Sequence, residues 1–153
     1  MITLYRRPGF LLRRAHQLSV GLFEHECQAL KLTPPQFGVL HMLMDSDALD
    51  QAGLARGLGL DKVTVLHVVR GLETRGWLTR QASVKDRRRW ALTLSEEGKA
   101  VFLRAQDMAH QASEALLSPL DGDEQQQLIL LLEKLCQGLE AKARAPFDPR
   151  PAA

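Results

Sequence analysis

Basic side chains are concentrated in the middle third of the 153-residue chain. Residues 56–89 contain nine lysines and arginines against three acidic residues, a net charge of +6, whereas the remainder carries −4. Guanidinium and ammonium groups gathered in this way neutralise phosphates. The uneven charge therefore predicts that this part of the chain binds a polyanion.

The first group of these residues lies on a predicted helix that Asp61 caps. Its core face holds apolar residues at i, i+3, i+4 and i+7: Val65, Val68, Val69 and Leu72. The opposite face carries side chains suited to the major groove of DNA: Lys62, Val63, Leu66, His67 and Arg70. Arginine donates to guanine, histidine to a base edge or a phosphate, and the apolar residues contact a thymine methyl. Thr64, near the helix start, suits a phosphate. The alternative is that this face is only solvated.

The second group lies in a polar segment between two predicted strands, residues 77–82 and 89–94. This segment carries a run of charges: Lys85, Asp86, Arg87, Arg88 and Arg89. The cations repel one another unless a polyanion is bound, and a thin arginine-bearing loop fits the narrow minor groove. Asp86 can hold one arginine through a bidentate pair. The alternative is that the arginines are nonspecific surface charge.

Helix caps and apolar periodicity predict the elements that position these groups. In chain order they are a helix from Pro8 to about Leu30, one from Thr33 to Asp45, two short helices capped by Asp50 and Asp61, and two long helices capped by Ser95 and Asp121. The two short helices are joined by a glycine-containing turn, which is the pattern of a helix-turn-helix.

The predicted fold is mainly α with a small β-hairpin wing, a winged helix-turn-helix attached to a helical dimerisation region. Residues 1–32 and 95–142 are expected to form the dimerisation region, residues 33–94 the DNA-binding lobe, and residues 143–153 a disordered tail. The first and last helices carry more apolar surface than one small chain can cover. We therefore expect a homodimer in which a second copy covers it.

Four segments of the chain resemble the MarR family of bacterial transcriptional regulators. They are Leu32 to Leu40, Leu54-Ala55 with Gly59 to Val65, Leu72 to Arg80, and Asp86 to Gly98, within a resemblance that covers about residues 10–140. The resemblance implies a triangular homodimer, joined through its first and last helices, that usually acts as a repressor released by a small ligand. It also implies that Arg88 is the wing-tip arginine of the minor groove, with Asp86 as its partner. His67 departs from the basic or small polar residue of many relatives, which leaves the operator sequence open.

Arg14 lies along the apolar stripe of the first helix, where a cation needs an anionic partner. The partner can be an acid such as Glu26, the arginine can extend to water, or its fork can clamp a ligand carboxylate. The segment Leu11 to Gln17 is similar to that of family members that sense aromatic acids, including repressors of hydroxybenzoate or nicotinate breakdown. This similarity implies a small aromatic carboxylate effector, held by Arg14 with polar and stacking contacts from His16, Phe37, His41 and Trp90.

Redox control is the competing switch. Relatives that sense peroxide carry a cysteine in the first helix, well before the segment at Thr33, whereas Cys27 lies only six positions before it. Cys136 is expected to be a small buried residue of the last helix. A third possibility is a structural DNA-binding protein without a regulatory role.

Several function classes are disfavoured by the sequence. An enzyme is not expected, because no catalytic triad, phosphate-cradling glycine loop or carboxylate pair stands out, and no cofactor or metal-ligand spacing is found. With 45% hydrophobic and 25% charged residues the composition is that of a globular chain. The apolar stretches are too short for a membrane span, and the N-terminus lacks a secretion signal. We therefore expect a cytoplasmic protein with no membrane partner.

Overall fold

The computed structural model describes residues 3–46, 48–82 and 90–149. Six α-helices and one antiparallel hairpin are found in these residues, which confirms the predicted fold class. The helices are α1 Pro8–Glu26, α2 Pro34–Met44, α3 Gln51–Leu58, α4 Lys62–Thr74, α5 Glu96–Leu117 and α6 Gly122–Leu139, and the strands are β1 Leu78–Ala82 and β2 Trp90–Leu94. Short 3-10 turns, Leu4–Arg6 and Glu140–Lys142, lie before α1 and after α6.

Side-chain caps begin five of the helices at the predicted positions. Four of the capping side chains accept a hydrogen bond from an N–H group that has no partner within its helix, and at the fifth, Thr33, the backbone N–H donates to the side chain of Gln36 at 3.1 Å. The capping residues are Thr33, Asp50, Asp61, Ser95 and Asp121. Because these contacts lie within three residues along the chain, the sequence alone could locate the helix starts.

The predicted end of α1, near Leu30, is wrong, since α1 ends at Glu26. Beyond it, the N–H of Leu30 donates to the carbonyl of Cys27 at 3.0 Å, a three-residue turn in place of the α-helical bond. Lys31 then takes a left-handed conformation with φ +48°. Leu30 and Leu32 are buried in this turn, so their apolar character continues the helical pattern although the helix has ended.

The core lies mainly in the lobe formed by α2, α3, α4 and the hairpin. The core face predicted for α4 is confirmed, because its four apolar residues are buried. In α2 the buried residues are Val39, Leu40 and Leu43. Met44, the last residue of α2, lies about 100° round the helix from Leu43 and is 39% exposed.

The hairpin is closed by pairing between Leu78 and Leu94 at one end and between Ala82 and Trp90 at the other. Leu49, in the segment before α3, adds a single bridge to Leu92, with N···O distances of 2.8 and 3.2 Å. These bonds hold the hairpin against the helix-turn-helix. The predicted tip residues Lys85, Asp86, Arg87, Arg88 and Arg89 lie outside the described residues.

The last helix is poorly covered in the isolated chain. No residue of α6 is buried, and its large apolar side chains are 37–57% exposed: Leu128, Ile129, Leu130, Leu131, Leu132, Leu135 and Leu139. On α1, which packs along α5, Leu11, Leu12 and Leu18 are also exposed. Both helices therefore present the apolar surface that the sequence assigns to dimerisation. None of the described helices has the length and apolar character needed to cross a membrane.

Two residues of the segment 143–153, which is expected to be disordered, contact the helix-turn-helix. The N–H of Asp148 donates to the carbonyl of Arg56 at 2.9 Å. The ring of Phe147 lies against Gly59, the left-handed glycine that ends α3. One aromatic anchor and one backbone bond thus join this segment to the helix-turn-helix, a long-range contact that composition does not reveal.

Candidate nucleic-acid interface and ligand groove

The start of α4 is fixed by Asp61. One of its carboxylate oxygens accepts from the N–H of Thr64 at 2.9 Å and the other from the Thr64 hydroxyl at 2.6 Å. These bonds, led by that from the hydroxyl, lower the pKa of the Asp61 carboxyl. The stabilisation they provide is present above the ordinary carboxyl pKa and is lost as the pH falls through the lowered one. The Thr64 hydroxyl, predicted to bind phosphate, therefore uses its proton within the cap.

The outward face of α4 carries the predicted DNA-contacting residues. Lys62, Val63, His67 and Arg70 are exposed, whereas Leu66 is half-buried. Val63 is 77% exposed, so this apolar, β-branched side chain gains little from folding and is available to a thymine methyl. Two exposed cations, a histidine and an apolar residue thus share one face of a helix whose other face is buried.

Two arginines of the basic segment are directed inward. Arg80 forms a bidentate pair with Glu73, with Nη2···Oε2 at 3.1 Å, and its Nη1 donates to Gln51 at 3.3 Å. The guanidinium of Arg75 stacks on Trp77 and donates to two backbone carbonyls. Two of the nine cations in residues 56–89 are therefore engaged within the protein, although the pair of Arg80 with Glu73 leaves the net charge of +6 unchanged. The pair of Arg80 also ties β1 to α4 and α3, which sequence spacing did not reveal.

A shallow groove opens between the lobe and the long helices. Its volume is about 180 Å³. It is lined by residues of α1, α2 and α5: Ser19, Phe23, Pro34, Phe37, Ala109, Ala112, Ser113 and Leu116. The lining is mainly apolar and aromatic with two hydroxyls, which suits the ring of a small ligand.

The predicted ligand residues are only partly brought together. Phe37 lines the groove. The ring centroid of His41 lies 5.9 Å from that of Phe37. His16 is exposed three residues before Ser19, on the same side of α1. Arg14 and Trp90 lie elsewhere.

Arg14 is exposed on a different face of α1 from the groove. It precedes Ser19 by five residues, which corresponds to about 140° round the helix. No acid of the described residues, Glu26 included, lies within ion-pair distance of it. Trp90 is 58% exposed at the start of β2, where it pairs with Ala82. The groove residues that the sequence analysis missed, Ser19 and Ser113 among them, come from separate helices, and only their helical spacing could have suggested a shared face.

The two cysteines differ from each other in exposure. Cys27 is buried, and burial, with a smaller contribution from Glu26, raises the pKa of its thiol. Cys136, expected to be buried, is exposed in the isolated chain, on a helix that has no buried residue. A raised pKa leaves less thiolate at neutral pH, so Cys27 is a poor candidate for a redox sensor.

We expect the Cys27 thiol of a Cys136→Ser variant to react far more slowly with a disulfide reagent than an exposed thiol does. Stopped-flow absorbance at pH 8 measures this rate, and adding denaturant should release the thiol to full reactivity. Rapid reaction of the folded variant would instead favour the cysteine-oxidation alternative.

Comparison with known proteins places these features in one family. A profile of the MarR family matches residues 30–89. The transcriptional repressor NicR of Pseudomonas putida is 30% identical over 127 residues, which are 83% of this chain and 80% of NicR. The solved structure of Bordetella bronchiseptica BpsR, whose DNA binding is regulated by 6-hydroxynicotinic acid, is 30% identical with a TM-score of 0.83, covering 88% of this chain and 96% of that one. The repressor CouR, solved on a 23-mer DNA duplex, is 30% identical with a TM-score of 0.81, covering 87% and 94%. The chain therefore belongs to the MarR family of transcriptional regulators.

Proposed function

We propose that this protein is a homodimeric repressor that binds a double-stranded DNA operator and is released by a small aromatic carboxylate. The main support for DNA binding is the outward face of α4. On this face Lys62, Val63, His67 and Arg70 are exposed, and the cap and the buried face hold the helix in place. Such a helix fits the major groove, where the donors meet guanine and phosphate. The similarity to CouR, a repressor solved on duplex DNA, supports the same proposal. At the wing, Lys85, Asp86, Arg87, Arg88 and Arg89 are proposed to enter the minor groove.

The proposed homodimer rests on the apolar surfaces of α1 and α6. Several leucines of these helices are exposed in the isolated chain, and covering them with a second copy removes apolar area from water. A twofold dimer then presents two α4 helices, which must lie about 34 Å apart to enter successive major-groove faces. A ligand that favours a different spacing would release the DNA.

The proposed ligand class is supported by the groove and by the relatives. Phe23 and Phe37 provide aromatic surface and two serines provide hydroxyls. BpsR responds to 6-hydroxynicotinic acid. Arg14, which has no acidic partner among the described residues, is available to a carboxylate. Because it lies on another face of α1 from Phe23, we propose that it reaches the ligand from the side where the second copy packs.

Duplex titrations followed by fluorescence anisotropy test the DNA-binding proposal. Logarithmic affinity should fall linearly with logarithmic salt concentration, with a slope that reports several phosphates per subunit. Analytical ultracentrifugation should give a dimer. Binding without salt dependence, or a monomer that binds as tightly, would contradict the proposal and favour a scaffold role.

An Arg14→Ala variant should keep its affinity for DNA but lose release by ligand. Thermal shift with 6-hydroxynicotinate and 4-hydroxybenzoate measures binding, because a ligand of the native state raises the melting temperature. For a ligand present at about 100 times its Kd, the wild-type protein gains roughly 2.7 kcal/mol, and the variant should lose most of this gain.

The matched control for Arg14 is Arg13→Ala. The guanidinium of Arg13 lies over the ring of Phe10, 5.0 Å from its centroid, and has no assigned role in ligand binding. This control should keep the ligand response. If Arg14→Ala unfolds the protein, or if its ligand response matches that of the control, Arg14 is not the clamp.

A further inference from the structure

The side chain of Arg75 joins the end of α4 to the turn that follows α1. Arg75 is the C-cap residue of α4, directly after Thr74. Its Nη1 donates to the carbonyl of Lys31 at 3.1 Å, and its Nη2 donates to the carbonyl of Leu30. A planar guanidinium can serve both acceptors at once, which an ammonium does with less defined geometry.

The same guanidinium lies on the face of Trp77, 3.5 Å from the ring centroid. Trp77 is buried, and its indole N–H donates to Glu97 of α5 at 3.4 Å. The Trp77 carbonyl accepts from the N–H of Ser95, the cap of α5, at 3.1 Å. The C-terminal end of α4 is thus attached to the turn after α1 through Arg75 and to α5 through Trp77.

These attachments matter because α1 and α5 are the helices that leave the lobe for the proposed dimer interface. The turn that receives Arg75 contains Lys31, whose φ of +48° is uncommon for a residue with a side chain. Two hydrogen bonds from one guanidinium help to hold that turn in place. A change in the direction of α1 that carries this turn with it must therefore either move the end of α4 or break these bonds.

We propose that Arg75 is a positioning residue, which fixes the angle of α4 relative to α1 and so sets where the DNA-contacting side chains of α4 stand. The inference rests on the proposed DNA binding but assigns Arg75 no contact with DNA, because its guanidinium is directed into the protein. Loss of the side chain should reduce preference for the operator without removing a phosphate contact.

The test uses Arg75→Ala and Arg75→Lys in the full-length chain. Each is titrated against a duplex that the wild-type protein selects from a random-sequence pool, and against a random duplex of equal length. We expect both variants to bind the selected duplex roughly tenfold more weakly, which is about 1.4 kcal/mol, with little change on random DNA. Concentrations are corrected for the active fraction by stoichiometric titration, so that partial unfolding does not count as weaker binding.

The salt dependence separates positioning from direct contact. Logarithmic affinity falls with logarithmic salt concentration. A lost phosphate contact makes this slope shallower by about 1, whereas a lost positioning contact leaves the slope unchanged. Arg104→Ala, on an exposed site of α5, removes the same charge and should change neither quantity. Unchanged operator affinity in Arg75→Ala, or a slope reduced by one, would overturn the inference while leaving the proposed function intact. Failure of the wild-type protein to bind any duplex would overturn both.

Discussion

Replacing Arg70 with alanine is expected to weaken operator binding by about 2–6 kcal/mol in the homodimer, since a base-contacting arginine contributes about 1–3 kcal/mol at each half-site. Arg70 is exposed on the same face of α4 as Val63 and His67. Its backbone carbonyl accepts from the Thr74 hydroxyl at 2.9 Å, so truncating the side chain leaves the helix intact. The affinity for a selected operator duplex, measured by fluorescence anisotropy, should therefore fall while the melting temperature stays unchanged.

The control for Arg70 removes one arginine charge outside the proposed DNA interface. Arg104→Ala should reproduce neither the loss of affinity nor any change in base preference. If Arg70 reads a guanine, its alanine variant should also bind duplexes altered at that base as well as it binds the selected one. A uniform loss across all sequences would show that Arg70 contacts phosphate instead. No loss at all would remove α4 from the DNA interface.

The features that could be predicted from the sequence are those that depend on neighbouring residues. The cap at Asp61 and the burial of Val65, Val68, Val69 and Leu72 follow from three- and four-residue spacings. The hairpin follows from two short strand-like segments of similar composition. In each case the determining contacts are local, so a pattern along the chain contains the information.

The contacts that could not be predicted join residues distant in sequence. Arg75 reaches carbonyls 44 and 45 residues earlier, and Phe147 contacts Gly59 from the far end of the chain. The net charge of residues 56–89 also counts Arg80 and Glu73 separately, because their pairing depends on how β1 folds back on α4. The groove between α1, α2 and α5 is still harder to predict from the sequence, because its lining comes from three helices and most of its residues are ordinary apolar ones.

Gly98→Ala is expected to destabilise the fold by about 2–4 kcal/mol, although alanine is the better helix former. Gly98 lies in the first turn of α5, where its N–H donates to the Ser95 hydroxyl at 3.0 Å. A methyl group at this position would stand 2.1 Å from the carbonyl oxygen of Trp77. Because the opposing atom belongs to the backbone, no change of rotamer relieves the overlap. The start of α5 must move away from Trp77, or the hydrogen bond between them must break.

Thermal unfolding measures this cost, and the melting temperature should fall by roughly 5–15 °C, given about 2–4 °C per kcal/mol for a chain of this size. Gly122→Ala is the matched control, because open space surrounds that position and it also lies in the first turn of a helix. The control should change stability by no more than about 0.5 kcal/mol. If α5 moves without unfolding, Gly98→Ala should in addition bind operator more weakly, because Trp77 joins α5 to the end of α4. A Gly98→Ala variant as stable as the control would show that α5 does not approach Trp77 this closely.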